Sequence, residues 1–134
     1  PQSMQKNPTY PRGVTAEVLE FFAARIFEAQ HAGLPREKII IDPGLGFGKT
    51  LDHNLDLLAN VDRLAEIGLP VLIGASRKSF INKIDASDAT ARIGGSLASA
   101  LWATSKGAHI LRVHDVRETK QALKVWAAIS NTEA

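Results

Sequence analysis

Three short apolar runs, each closing on residues able to do chemistry and each followed by a helical pattern, limit what this chain can fold into. They are KIIID at Lys38–Asp42, PVLIG at Pro70–Gly74 and the run from Ala108 to Val113. Runs of this length, rich in β-branched residues and lacking polar alternation, suit strands covered on both faces. Their starts at 38, 70 and 108 lie 32 and 38 residues apart, a spacing typical of βα units.

The segments between them carry helical periodicity. The first twelve residues hold three of the six prolines and read as a loop. A helix is expected from about Thr15, with Val14, Val18, Phe21, Phe22, Ile26 and Ala29 on its apolar side, stopping at Gly33 before Pro35. A second spans about Leu51 to Ile67, with Asn54, Leu57, Leu58, Val61 and Leu64 along one side and Gly68 beyond its end. Ser76–Ser79 opens a short helical or irregular stretch. Asp88 is placed to cap a third long helix through Leu97, Leu101 and Trp102 to Gly107. Asp115 and Glu118, three apart, predict a capping box before a last helix whose apolar side includes Ala122, Val125, Trp126 and Ile129.

The expected class is therefore α/β. An open sheet of three strands leaves two bare edges and an uncovered apolar face, whereas eight strands close into a barrel in ~250 residues. We read the chain as about three-eighths of a (β/α)8 barrel, one domain over residues 1–134 with no second domain. The start at Pro1-Gln2-Ser3, without an initiator Met, predicts a segment of something longer.

Composition sets the outer bounds. Hydrophobic residues make up 45% and charged residues 22%, the profile of a globular chain rather than a disordered one. The 16 Lys and Arg face 14 Asp and Glu, with no long run of one sign, so the charge implies neither nucleic-acid nor membrane binding. Cysteine is absent, which excludes disulfides and thiolate metal sites within this chain. Apolar stretches such as Leu69–Ile73 are far short of the ~20 residues a membrane helix needs.

Chemistry gathers just after each run, where the loops of parallel α/β proteins converge on one mouth. The first cluster is Asp42-Pro43-Gly44-Leu45-Gly46-Phe47-Gly48-Lys49-Thr50. It is not a phosphate loop, because counting back from Gly48 places Pro43 where the first glycine belongs, and Lys49 stands where a dinucleotide fingerprint needs its third glycine. A plain glycine turn remains the alternative. Against it stands Asp42, a carboxylate expected to be buried and to need several donors, which a heterocycle with adjacent N–H groups supplies.

The second cluster, Gly74-Ala75-Ser76-Arg77-Lys78-Ser79-Phe80, crowds two cations and two hydroxyls together. A helical turn there would add free N–H groups to an anion site; a capped helix with solvated cations explains it equally well. In the third, Arg112-Val113-His114-Asp115, strand alternation brings Arg112 and His114 to one face, a pairing suited to a phosphate or diphosphate. A lone histidine in such a place is more often structural. His31 and His53 read as capping or solvated, and His109 lies far from the mouth. Neither a protein-built metal site nor a serine nucleophile elbow occurs.

Taken in order, IIDPGLGFGK at 40–49, His53-Asn54, GASRKS at 74–79, Gly94-Gly95-Ser96-Leu97 and Arg112-Val113-His114-Asp115 resemble dihydropteroate synthases through almost the whole chain, with Met4-Gln5, Pro8 and Tyr10 similar to the stretch after that family's fifth strand. Each motif alone is weak, and the ordered set is specific. The resemblance implies that the chain carries strands six to eight, the C-terminal three βα units of a TIM barrel. It implies a cytoplasmic transferase of folate biosynthesis, a sulfonamide target, which condenses 6-hydroxymethyl-7,8-dihydropterin diphosphate with 4-aminobenzoate to give 7,8-dihydropteroate and diphosphate.

The same resemblance implies residue roles. Asp42 would hold the pterin nitrogens and Lys78 would contact its ring. Ser79 and Phe47, with Arg77 as a neighbour, would shape the 4-aminobenzoate site, and Arg112 and His114 would grip the diphosphate. Magnesium would be the cofactor, its ligand lying upstream of Pro1 with the remaining pterin-holding residues, so the isolated chain is expected to be inactive and to need the N-terminal part of the barrel. A homodimer through the late helices is expected. Leu45 departs from the phenylalanine of many relatives, which bears on 4-aminobenzoate and sulfonamide binding. Two other readings stay open: a non-catalytic half-barrel that binds another polypeptide, and a pterin-binding methyltransferase domain. The second lacks a reason for Arg112 and His114, because a methyl carrier expels no diphosphate.

Overall fold

The computed structural model describes residues 8–132; the similarity noted at Met4-Gln5 falls outside them. Helix α1 (Val14–His31) forms because Val14, Val18, Phe22 and Ile26 recur every four residues and are all buried along one stripe. Phe21, expected on that side, is exposed instead, since the stripe is narrower than the periodicity suggested. The helix stops as expected at Gly33, whose φ of +90° lets Leu34 donate back to the Ala29 carbonyl at 3.0 Å and Gly33 to Gln30 at 2.9 Å.

A 3-10 turn at Arg36–Lys38 precedes the first expected strand, of which only Ile41 is paired, bridging Val71 in parallel. That strand is not covered on both faces. Ile41 is buried under the helices, whereas Ile40, pointing the other way, is 53% exposed. The rest of the ladder is β1 (Leu72–Ile73) beside β2 (Ile110–Leu111), parallel, with Leu72 opposite Ile110 and Ile73 opposite Leu111. The bonds Leu72 N–H to Ile41 O (2.8 Å) and Arg112 N–H to Ile73 O (3.0 Å) carry the order 41, 71, 110 across the sheet.

The expected second helix is two. Helix α2 (Leu51–Ala59) and α3 (Val61–Ala65) break at Asn60, whose side chain donates to the Asp56 carbonyl at 2.8 Å and competes with the helical ladder. Helix α4 (Ser79–Ile84) follows β1. Asp88 caps no long helix; it precedes a 3-10 turn at Ala89–Ala91, and α5 runs Ile93–Ser105. Helix α6 (Val116–Ser130) follows Asp115, but the expected capping box is absent because the Asp115 carboxylate is engaged by Arg77. The capping box that does form joins Thr50 and His53 at the start of α2, both bonds at 3.2 Å.

The core runs between the helices and one sheet face, with Leu45, Leu57, Leu64, Ile73, Val61 and Val71 almost wholly enclosed. The other sheet face, bearing Ile40, Asp42, Leu72, Gly74, Ile110, Arg112 and His114 by alternation, is where the chemistry-bearing side chains stand. The apolar side expected for α6 is not buried either, since Val125 and Ile129 are exposed. Among the described residues no helix is long and apolar enough to cross a membrane.

Candidate active site

Asp42, one residue past the Ile41 bridge, and Arg112, one residue past β2, reach each other over the end of β1. The Arg112 guanidinium lies 3.2 Å from Asp42 Oδ2. The intervening residue of the central strand is Gly74, and a Cβ built there would sit 2.7 Å from Arg112 Nη2. The missing side chain is what opens the path. Asp42 is not the enclosed anion the sequence suggested, as its side chain is 31% exposed. Its partners lie within the chain: Arg112 at Oδ2, and the Gly44 N–H donating to Oδ1 at 2.8 Å.

The glycine loop after Asp42 is shaped from below by Asn54, which is 3% exposed. Its Oδ1 accepts from Gly46 N–H at 2.7 Å while its Nδ2 donates to the Thr50 carbonyl at 2.6 Å. Gly46 has φ +79°, and the Lys78 Cδ would stand 3.0 Å from any Cβ there, so both backbone and space favour glycine. Lys78 thus lies over the loop, its Nζ 4.1 Å from the centre of the half-exposed Phe47 ring. Burial holds the Lys78 amine below its ordinary value, Arg112 pushes it further down, and Asp42 opposes both. Lys49, whose Nζ donates to the Phe47 carbonyl at 3.1 Å, is likewise lowered by burial and raised by Asp42. Asp42, Phe47 and Lys49 also line a cleft of about 630 Å³ with Tyr10, Phe21 and Phe22, a size suited to a small heterocycle.

Arg77 takes no place in this group. Its backbone is left-handed, with φ +58°, a strained choice for a side-chain-bearing residue. It is held at backbone and side chain: N–H to Ser96 Oγ (2.9 Å), carbonyl from Arg92 Nη1 (3.0 Å), and guanidinium to both oxygens of Asp115. Arg77 therefore braces the turn that aims Lys78. Ser79 is exposed at the first position of α4. His114 is exposed, and its Nδ1 lies 3.0 Å from the buried Ser76 Oγ.

Of the residues singled out from sequence, Asp42, Phe47, Lys78 and Arg112 are brought together, His114 shares the face of Arg112, Arg77 is turned to Asp115, and Ser79 is exposed next to Lys78. Sequence reasoning gave no role to Gly74 and Asn54, and saw Ser76 only as one of two hydroxyls in the second cluster. The signal was present for Asn54, an amide on the apolar side of its helix. His31 stacks on Phe27, and His109 Nδ1 accepts from Val71 N–H at 3.3 Å, both structural uses. Among the described residues, no group of three or more His, Asp or Glu is arranged to hold a metal ion.

Known proteins resemble this chain closely. The family model described as pterin binding enzyme matches residues 1–114. A dihydropteroate synthase of Haemophilus influenzae is 48% identical over 131 residues, covering 98% of this chain and 47% of that protein. The dihydropteroate synthase of Yersinia pestis, solved with a sulfonamide drug complex, superposes with a TM-score of 0.92 at 38% identity, over 97% of this chain and 47% of its own. That of Thermus thermophilus, solved in complex with 6HMPPP, gives 0.90 at 44% identity, over 97% and 51%; it has also been solved with 4-aminobenzoate. The chain spans about half the length of the relatives it matches. With a family model covering most of its residues, the chain belongs to the pterin-binding enzymes.

Proposed function

We propose that this chain supplies strands six to eight of a (β/α)8 barrel, as a single domain over residues 1–134, and that the completed protein is a dihydropteroate synthase. It would join 6-hydroxymethyl-7,8-dihydropterin diphosphate to 4-aminobenzoate, giving 7,8-dihydropteroate and diphosphate in cytoplasmic folate biosynthesis. The observation that carries this reading is the meeting of Asp42, Lys78 and Arg112 at one end of the parallel strands. The ligands of the T. thermophilus structures match the two halves of the condensation.

In this reading Asp42 accepts hydrogen bonds from the pterin ring and Lys78 lies against it. Arg112 and His114 turn to the diphosphate. The bond from the pterin methylene to the diphosphate oxygen breaks and its electrons leave with the anion. The 4-aminobenzoate nitrogen then forms the new bond to the methylene and loses a proton. Cleavage running ahead of attack leaves the methylene cationic, and the Asp42 carboxylate stabilises it while the two cationic or donor groups stabilise the anion. No enzyme nucleophile is needed. Phe47 and Ser79 flank the aminobenzoate, and Leu45, where many relatives carry phenylalanine, bears on sulfonamide response.

Magnesium would be held by the part of the barrel outside this chain. The half-exposed face with Ile40, Leu72 and Ile110 suits the missing strands, and the isolated chain would be inactive. The groove between α5 and α6, lined by Ile93, Leu97, Leu101, Val125, Trp126 and Ile129, suits a homodimer. The test joins residues 1–134 to the upstream half of the H. influenzae relative and assays dihydropteroate. Product from the fusion and none from either half is expected. An assembled barrel that binds the pterin diphosphate yet turns nothing over would sink the enzymatic reading in favour of a non-catalytic binding segment.

A further inference from the structure

We infer that Ser76 is a positioning residue that sets the tautomer of His114, leaving Nε2 as the proton-bearing nitrogen available to an anion. The claim about the tautomer rests on geometry alone; its catalytic meaning rests on the reading above.

Ser76 stands at the turn after β1 and is 5% exposed. Its Oγ accepts from the backbone N–H of His114 at 3.2 Å and lies 3.0 Å from the Nδ1 of the same residue. A hydroxyl has one proton and two lone pairs. One lone pair takes the backbone N–H, and among the described residues the hydroxyl proton meets one acceptor, His114 Nδ1; donating there pairs the proton of this buried hydroxyl, which an Nδ1–H facing the second lone pair would leave without that acceptor. In the neutral imidazole Nδ1 is thus the bare nitrogen and Nε2 carries the hydrogen.

The neighbouring charge does not undo this. Asp115 follows His114 in the chain and its field reaches the ring, but its two oxygens are engaged by the Arg77 guanidinium. Protonation of His114 would turn the Nδ1 contact around, with the ring donating to Oγ, and Nε2 would still hold its proton. Nε2 is a donor in both charge states. The opposite tautomer would offer an incoming anion a lone pair, which repels it. A serine bridging the ends of β1 and β2 therefore decides whether the exposed edge of His114 attracts or repels negative charge.

Nitrogen-15 spectra of the full chain labelled at histidine read the tautomer directly. His114 is assigned by the resonances missing from a His114→Asn variant, at about pH 8.5, where an ordinary histidine is neutral. The expected pattern is a protonated Nε2 and a bare, hydrogen-bonded Nδ1. Ser76→Ala is expected to release the ring into a mixture of tautomers, and Ser76→Thr, which keeps the hydroxyl, to restore the single form. An Nδ1–H signal in the parent chain overturns the inference even if Ser76→Ala does not fold, and so does an unchanged tautomer in a folded Ser76→Ala. In the barrel fusion, Ser76→Ala should lower kcat about tenfold with the KM for 4-aminobenzoate held, and Ser76→Thr should recover it. Absence of turnover in the parent fusion would count against the enzymatic reading and leave the tautomer result standing.

Discussion

The guanidinium of Arg112 crosses above Gly74 to meet the carboxylate of Asp42 at 3.2 Å, so two residues on non-adjacent strands act as neighbours. The crossing depends on what Gly74 lacks. Its φ lies outside the left-handed region, so alanine is tolerated by the backbone, yet the added Cβ would stand 2.7 Å from Nη2. The obstructed atom is the tip of a flexible, half-exposed side chain, which can move. Gly74→Ala is therefore expected to change unfolding free energy by less than about 1 kcal/mol while lowering kcat/KM for the pterin diphosphate in the fused enzyme about tenfold or more. Chemical denaturation beside steady-state kinetics checks the separation. A large stability loss with normal kinetics would mean the crossing has no role in substrate binding.

Asn54 holds the glycine loop from inside the fold. Removing its amide leaves the Gly46 N–H without this acceptor and the Thr50 carbonyl without this donor in a closely packed place. Asn54→Ala should cost about 1–3 kcal/mol in denaturant unfolding and raise the KM for 4-aminobenzoate through displacement of Phe47. Asn54→Asp keeps the acceptor and loses the donor, placing a carboxylate beside the Thr50 carbonyl, and is expected to be no milder. A neutral Asn54→Ala would show that the loop is held by something else.

Lys78 and Lys49 both have amines held below the ordinary lysine range, in each case chiefly by burial. More of each is in the free-base form at mildly alkaline pH, so both should acylate ahead of surface lysines at about pH 8, as read by mass spectrometry. Asp42 raises both and Arg112 lowers only Lys78. Asp42→Asn should therefore speed both reactions, and Arg112→Ala should slow Lys78 alone. The sign for stability follows: the fold binds these protons less tightly than the unfolded chain, so stability rises as pH climbs through the depressed values toward about 10.4. Equal reactivity of Lys78 and exposed Lys124 would contradict the arrangement.

What was legible in the sequence followed periodicity and loop position. The stripe Val14, Val18, Phe22 and Ile26 announced α1, and Gly33 its end, because local spacing and backbone freedom decide both. That Asp42 and Arg112 lie at one mouth was anticipated because strand ends in parallel proteins converge; that they pair directly was not. What failed was decided at a distance. The Asp115–Glu118 spacing spoke for a capping box, but a charge on the turn after β1 claims Asp115 first. Asn60 split a continuous helical pattern through one side-chain bond. Ile40 looked like a core residue because β-branched runs do not reveal that one face here lacks cover. Ser76 was legible only as one of two hydroxyls in a cationic cluster, since a serine beside two cations gives no hint of its partner until His114 is placed against it.

The pair between Arg77 and Asp115 supplies the last prediction. The Arg77 guanidinium, through its hydrogen bonds first and its charge second, holds the Asp115 carboxyl below the usual carboxylate range, against the opposing effect of burial. Lowered in the fold, this group adds stability that is fully present above about pH 4 and is lost as acid protonates it through its depressed value. The same pair restrains a left-handed Arg77 that would otherwise relax and carry Lys78 off the Phe47 ring. Asp115→Asn should lower the thermal midpoint near neutral pH and flatten its fall on acidification, with the two curves converging at low pH. It should also bring the acylation rate of Lys78 toward that of surface lysines, because the turn no longer presses the amine against the loop. Parallel midpoint curves for the two proteins down to pH about 3, or an unchanged Lys78 rate, would show that Ser96 and Arg92 hold the turn without Asp115.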